Sequence, residues 1–146
     1  QLPALLQLLL RCDFESFAKA FVHFCTATFS YFDEQGTQPE RFYHAFVLGM
    51  LVQLQDSHSI KSNRESGYGR YDVCLIPHDK NQPGFVIEFK AVDELDNLTL
   101  EQACEQALKQ IEQKQYATDL HAQGIEKVYP LAISFEGKRV LVRVVE

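Results

Sequence analysis

The sequence has no surplus of positive charge. Its 14 Lys and Arg residues face 20 Asp and Glu, a net charge of -6 at pH 7. An acidic chain gains no overall attraction to a polyanion. Capture of nucleic acid by bulk charge is therefore excluded, and phosphate contacts would fall to a local basic stripe or a partner domain. None of the four cysteines, Cys12, Cys25, Cys74 and Cys104, stands in a CxxC pair or a zinc signature. Cys25, Cys74 and Cys104 lie in apolar or helical patterns and read as free buried thiols in a reducing compartment, which points to the cytoplasm. No basic leader precedes the apolar run LPALLQLLL, and FVHFCTATF is too short and too polar to span a bilayer. Neither a secretory leader nor a membrane anchor is expected. The P-loop pattern GxxxxGK followed by Ser or Thr is absent, the His residues show no H-x-x-x-H spacing, and nothing repeats internally. The chain opens on Gln1, and its strongly apolar first segment reads as surface from beside a neighbouring domain of a longer protein.

What remains is a chain of 146 residues, 46% apolar, enough for one domain with one substantial core. Residues 2–10 form a plausible helix, and Asp13 can cap a second over residues 14–29, where Phe14, Phe17, Phe21, Phe24 and Cys25 recur at helical spacing. Gly36 and Pro39 break the pattern, and a third helix follows to about Gln55, with Glu40 in its first turn. The texture then changes to strands: IKSNRES, YDVCLI and, after the turn-rich PHDKNQPG, FVIEFKAV. YDVCLI and FVIEFKAV are expected to be adjacent and antiparallel. One long helix is expected over residues 98–121, stopped near Gly124, then KVYPLAISF and RVLVRVV joined by a tight EGK turn. The order predicts an α/β domain, a central sheet with helices on both faces. Residues 1–30 read as a helical segment packed on the core or a neighbouring domain, and residues 31–146 as the domain proper.

Glu88 sits inside FVIEFKAV among strong strand formers, where a buried charge is costly unless paired or metal-bound. Lys90 leaves the same strand face, two residues on, while Ile87, Phe89 and Ala91 use the core face. If the strands pair, Asp72 comes near Glu88. Two carboxylates offer hard oxygen ligands to Mg²⁺. A metal there can activate water, and Lys90 can orient that water or neutralise phosphoryl charge. The alternative from spacing alone is a solvated Glu88–Lys90 salt bridge with Asp72 as a strand-edge residue. Glu40 is either a third ligand or a simple partner of the helix dipole. Lys61, Arg64 and Arg70 flank the carboxylates as candidate phosphate contacts or as solvated face residues. Gly67 and Gly69 bracket Tyr68 and suggest a tight or bulged approach beside Asp72. Gln106, Gln110 and Lys114 are four apart on one helix face, looking either into the cleft or into solvent.

Taken together, ESGYGRYDVCLIPHDKNQPGFVIEFK resembles the PD-(D/E)xK nuclease superfamily, and more narrowly the C-terminal nuclease-like domain of bacterial AAA-ATPase-like proteins. ERFYHAFVLGML, EQACEQALKQIEQKQYATDL and YPLAISFEGKRVLV extend the likeness, which covers roughly residues 31–142. The resemblance implies a restriction-endonuclease-like core, a central mixed sheet flanked by helices in α-β-β-β-α-β order. It implies cleavage of nucleic-acid phosphodiesters, DNA favoured over RNA, dependent on Mg²⁺ or Mn²⁺. The metal ligands fall on Glu40, Asp72 and Glu88, the catalytic set on Asp72, Glu88, Lys90 and the helical Gln110, and Lys114 joins the phosphate contacts. An ATPase-like neighbour or a second copy of the chain is the implied protein partner. Phe32 stands where the relatives' Tyr-His-Asp tract has His, a change in a structural tract. The rival expectation, favoured by the acidic balance and the apolar first helix, is a noncatalytic regulatory or protein-interaction module.

Overall fold

The computed structural model describes residues 2–29, 40–65, 70–93 and 95–146, without the side chains of residues 40, 41, 63–65, 70 and 71. The break at Gly36 and Pro39, the tract with Phe32, and Gly67 to Gly69 lie outside the described residues. Helices α1 (Ala4–Leu10), α2 (Phe14–Phe29) and α3 (Glu40–Leu51) come first, α3 running into a short 3-10 turn at Val52–Leu54. Strands β1 (His58–Glu65), β2 (Arg70–Pro77) and β3 (Gly84–Ala91) follow, then α4 (Leu100–Lys114), α5 (Tyr116–Ala122), β4 (Val128–Glu136) and β5 (Arg139–Val144).

The strands lie in one sheet in chain order. β1, β2 and β3 form an antiparallel meander, β4 runs parallel to β3, and β5 returns antiparallel to β4. The single parallel pair is the one whose connection contains helices, as a parallel pair requires. The β4–β5 turn is two residues long, with Gly137 at φ 61° between partners Glu136 and Arg139. Positive φ at that place suits the twist of the hairpin, and glycine takes it without a Cβ clash. The arrangement is an α/β fold with a central mixed sheet flanked by helices, the architecture that the family resemblance implies.

Alternation sorts each strand onto two faces. On one, Val73, Leu75, Phe85, Ile87, Phe89, Leu131, Ile133 and Phe135 join a single apolar cluster with α1, α2 and α3. Leu6, Leu9, Phe17 and Phe21 are buried there, so the Phe- and Leu-rich opening helices pack on this sheet. Phe24 departs from the expected track: it is 40% exposed and stacks on Phe46 at the rim. Tyr43 ties α3 to the far edge, stacking on Phe135 with its hydroxyl donating to the Gly137 carbonyl at 3.1 Å. No helix of the described residues is long and apolar enough to cross a membrane.

The other face is covered by α4. Thr99 and Gln102 close a capping box at its start, which satisfies two helix-end amides. Ile111 packs on Cys74 and Val86, and Cys104 and Ala107 on Ala132. The single long helix expected over residues 98–121 is a correction: the helix ends at Lys114 and restarts at Tyr116. Gln115 between them adopts the left-handed conformation, φ 58° and ψ 29°. Neither Gly nor Pro marks the break, so local sequence carries no signal for it. Packing accounts for it. Leu120 is buried in close approach to Gly84, where a Cβ would stand 3.0 Å from the leucine methyl. Turning the chain at Gln115 lets α5 bury that leucine against the start of β3.

Candidate active site

The turn-rich PHDKNQPG reverses the chain so that Asp72 and Glu88 are direct partners in the β2–β3 ladder. Residues opposite each other share a face, and this pair shares the α4 face with Cys74 and Val86. Both carboxylates are almost fully buried, at 2% and 1% exposure. Two like charges across a ladder destabilise the sheet unless something compensates. Lys114, the last residue of α4, does so: its Nζ stands 3.2 Å from Asp72 Oδ2 and 3.2 Å from Glu88 Oε1. Removing the lysine from such a buried arrangement is expected to cost about 3–5 kcal/mol, because the two carboxylates then lose their compensation. Asp72 Oδ1 is buried and accepts no hydrogen bond among the described residues.

Tyr116 opens α5 on the far side of the kink, its ring centroid 5.8 Å from Lys114 Nζ. Burial raises its phenol above the ordinary range, the charge of Asp72 raises it further, and Lys114 opposes them. The same field reaches Cys74, whose thiol is pushed up to about 11, by burial first and by Asp72 next. It also reaches across the sheet to His44. Burial lowers that imidazole and Asp72 opposes the shift, while its Nε2 lies 2.6 Å from Ser62 Oγ.

Lys90 lies half-buried one pleat along β3 from Glu88, and both line a small pocket with Ala103, Gln106 and Ala107 of α4. Gln110 is half-buried between Gln106 and Lys114 on the same helix. Lys61 is exposed on β1, paired with Cys74 and close enough for its charge to lower that thiol's pKa. Glu40 begins α3, whose body packs on β2 and β3 from the opposite face. The Glu40 side chain lies outside the described residues, as do those of Arg64 and Arg70, which pair with Tyr71 and Glu65 in the β1–β2 ladder. The structure thus brings together Asp72, Glu88 and Lys114, with Lys90 beside them. Sequence reasoning placed Lys114 among the phosphate contacts and missed its bridge between the carboxylates. A signal existed: two buried strand carboxylates call for a cation, and Lys114 sits at the right helical interval from Gln106 and Gln110.

Among the described residues no group of three or more His, Cys, Asp and Glu side chains converges. The pair nevertheless fits a hard divalent cation. Mg²⁺ is commonly held by one or two carboxylates, with water and substrate phosphate completing its shell. Asp72 Oδ1, buried and accepting no hydrogen bond among the described residues, is the kind of oxygen such an ion takes. No His or Cys stands in the pair to draw a softer metal.

A sequence profile of the PD-(D/E)XK nuclease superfamily matches residues 38–144. No curated protein matches the chain.

Proposed function

Because this chain belongs to the PD-(D/E)XK nuclease superfamily, we propose that it hydrolyses nucleic-acid phosphodiester bonds with Mg²⁺ or Mn²⁺. The observation that carries the reading is Asp72 directly opposite Glu88, both buried beneath α4, with one aspartate oxygen, Oδ1, that accepts no hydrogen bond among the described residues. Asp72 and Glu88 hold the ion, and Glu40 is the third ligand. When bound, such an ion polarises a phosphoryl oxygen and lowers the pKa of an attacking water. Lys90 orients the water at the neighbouring pleat, and Gln110 supports that geometry from α4. Lys61, Arg64, Arg70 and Lys114 meet the phosphates. A chain of net charge -6 needs such local cations to hold a polyanion. DNA is the favoured substrate over RNA. Residues 1–30 serve as a helical segment packed on the nuclease domain at 31–146, in keeping with the apolar cluster that Leu6, Leu9, Phe17 and Phe21 share with the sheet. The protein works in the cytoplasm beside an ATPase-like domain or a second copy of itself.

The deciding experiment is cleavage of mixed DNA and RNA substrates with and without Mg²⁺ or Mn²⁺, paired with calorimetric metal titration. Glu88→Ala is expected to abolish cleavage and weaken metal binding. Lys90→Ala is expected to keep metal affinity while the chemical step slows by about 10²–10³-fold, the scale for losing one electrostatic contact to the transition state. Unchanged metal affinity in both Asp72→Ala and Glu88→Ala sinks the site. Metal binding without cleavage of any substrate moves the balance to a second reading, a noncatalytic regulatory or interaction module. The acidic net charge favours that reading.

A further inference from the structure

Lys114 does more than neutralise the site. We infer that its ammonium and the divalent ion compete for the same two carboxylates, so that Lys114 holds the site closed until metal displaces it. The inference rests on the metal-site reading above and concerns what must move for that reading to operate.

Three observations carry it. The ammonium contacts one oxygen of each carboxylate at equal distance, 3.2 Å, which is the bridging position a shared cation would take. The pair is buried and like-charged, so it requires a cation in every state of the protein. Lys114 is the final residue of α4, next to the left-handed turn at Gln115, and its flexible stem emerges where the helix stops. With Lys114 in place and Lys90 half-buried beside Glu88, the two carboxylates are already met by two ammonium groups. A divalent ion alone balances both carboxylates. The ion, Lys114 and the neighbouring Lys90 together would leave an excess of positive charge even with the Glu40 carboxylate counted, and like charges a few ångströms apart in a poorly solvated cleft repel strongly. Metal entry therefore drives the ammonium outward. Freed from the carboxylates, it keeps a net charge to spend on a phosphate at the mouth of the cleft. Apparent metal affinity then scales with the fraction of molecules in which Lys114 is already withdrawn.

The test uses Mn²⁺ alone as the probe. Lys114→Met keeps the stem and removes the charge, and Lys114→Arg keeps the charge. Calorimetric titration is expected to show Lys114→Met binding Mn²⁺ about tenfold or more tightly than wild type, as when the competent fraction rises from about a tenth to all molecules. Lys114→Arg is expected to bind no more tightly than wild type. If Lys114→Met does not fold without metal, recovery of a cooperative melting transition on adding Mn²⁺ supports the inference, and failure to recover overturns it. A measurement on wild type avoids the substitution. Amine-reactive labelling read by mass spectrometry is expected to rise at Lys114 when Mn²⁺ is added. If wild type binds Mn²⁺ while Lys114→Met binds it equally or more weakly, or while labelling is unchanged, the competition is refuted and the metal site stands. If neither wild type nor Lys114→Met binds Mn²⁺, the metal-site reading falls and the inference with it.

Discussion

The two faces of this sheet are built from the same five strands and solve opposite problems. Toward α1, α2 and α3 the strands present Val73, Leu75, Phe85, Ile87 and Phe89, and the helices answer with Phe17, Phe21, Tyr43 and Val47. Toward α4, the alternate residues of β2 and β3 are Asp72, Cys74, Val86 and Glu88. A one-residue alternation thus separates a face stabilised by burial of apolar area from a face that buries two carboxylates and has to balance them. β3 is enclosed on both sides, so it holds Glu88 rigidly in place. The first three helices supply the stability that the charged face gives up.

The sharpest way to break this comparison is to cut into each face in turn. Phe85→Ala removes a fully buried ring that packs on Phe14 and Tyr129. It is expected to cost about 3–5 kcal/mol by urea or thermal unfolding, with Mn²⁺ affinity close to wild type wherever the variant is folded. Asp72→Asn on the other face should reverse the pattern. It relieves like-charge opposition with Glu88 and leaves Lys114 its glutamate, so stability should change by less than about 1 kcal/mol, while Mn²⁺ affinity collapses. If Asp72→Asn destabilised the fold as strongly as Phe85→Ala, the division of labour between the faces would be wrong.

That division is partly legible in the sequence. The strand formers of FVIEFKAV marked a strand with one core face, and a carboxylate buried among them would be costly unless paired or metal-bound. The turn-rich PHDKNQPG made β2 and β3 neighbours, though only the ladder register fixes Asp72 opposite Glu88 rather than two residues away. Less could be read from the α4 face. The position of Lys114 depends on where α4 crosses the sheet and where it stops, and the stop is set by Leu120 docking against Gly84. That is tertiary packing with no local residue signature. Tyr116 falls beside Asp72 for the same reason.

A smaller effect tests the apolar side through its buried histidine. His58 lies tilted beside Phe85, and its Nε2 donates to the Pro83 carbonyl at 2.8 Å; in the neutral ring Nδ1 accepts from the Ser57 hydroxyl at 2.8 Å, in competition with that hydroxyl's contact to the Leu54 carbonyl at 3.3 Å. Both bonds are satisfied by the neutral ring. Burial lowers its pKa, the Pro83 carbonyl opposes the shift, and the positive charge of His78 lowers it further. With the folded pKa below the unfolded value of about 6.5, the unfolded chain takes up the proton first. Stability from the neutral ring is therefore complete above about pH 6.5 and is lost as pH falls through the folded pKa. Urea midpoints between pH 7.5 and 5 should decline in wild type and decline less in His58→Gln. Equal slopes would show that the ring is accommodated charged.

The smallest expected effect lies at the hinge of the charged face. Gln115 holds a left-handed backbone between α4 and α5, which costs an ordinary L-residue roughly 1–2 kcal/mol. Glycine removes that cost and adds unfolded-state freedom worth about 0.5–1 kcal/mol. Gln115→Gly should thus be neutral to about 1 kcal/mol stabilising, a rise of no more than a few degrees in Tm. Mn²⁺ affinity should be unchanged, since the turn that delivers Lys114 to Asp72 and Glu88 is kept. Gln115→Val makes the opposite change at the same place. A β-branched residue resists positive φ, so the helix is pushed to straighten or the residue to sit strained. Stability should fall by about 1–2 kcal/mol, and Mn²⁺ affinity should shift as Lys114 loses its bridging position. A Val variant as stable as wild type, with metal binding untouched, would show that the kink is incidental and that the carboxylates recruit Lys114 without it.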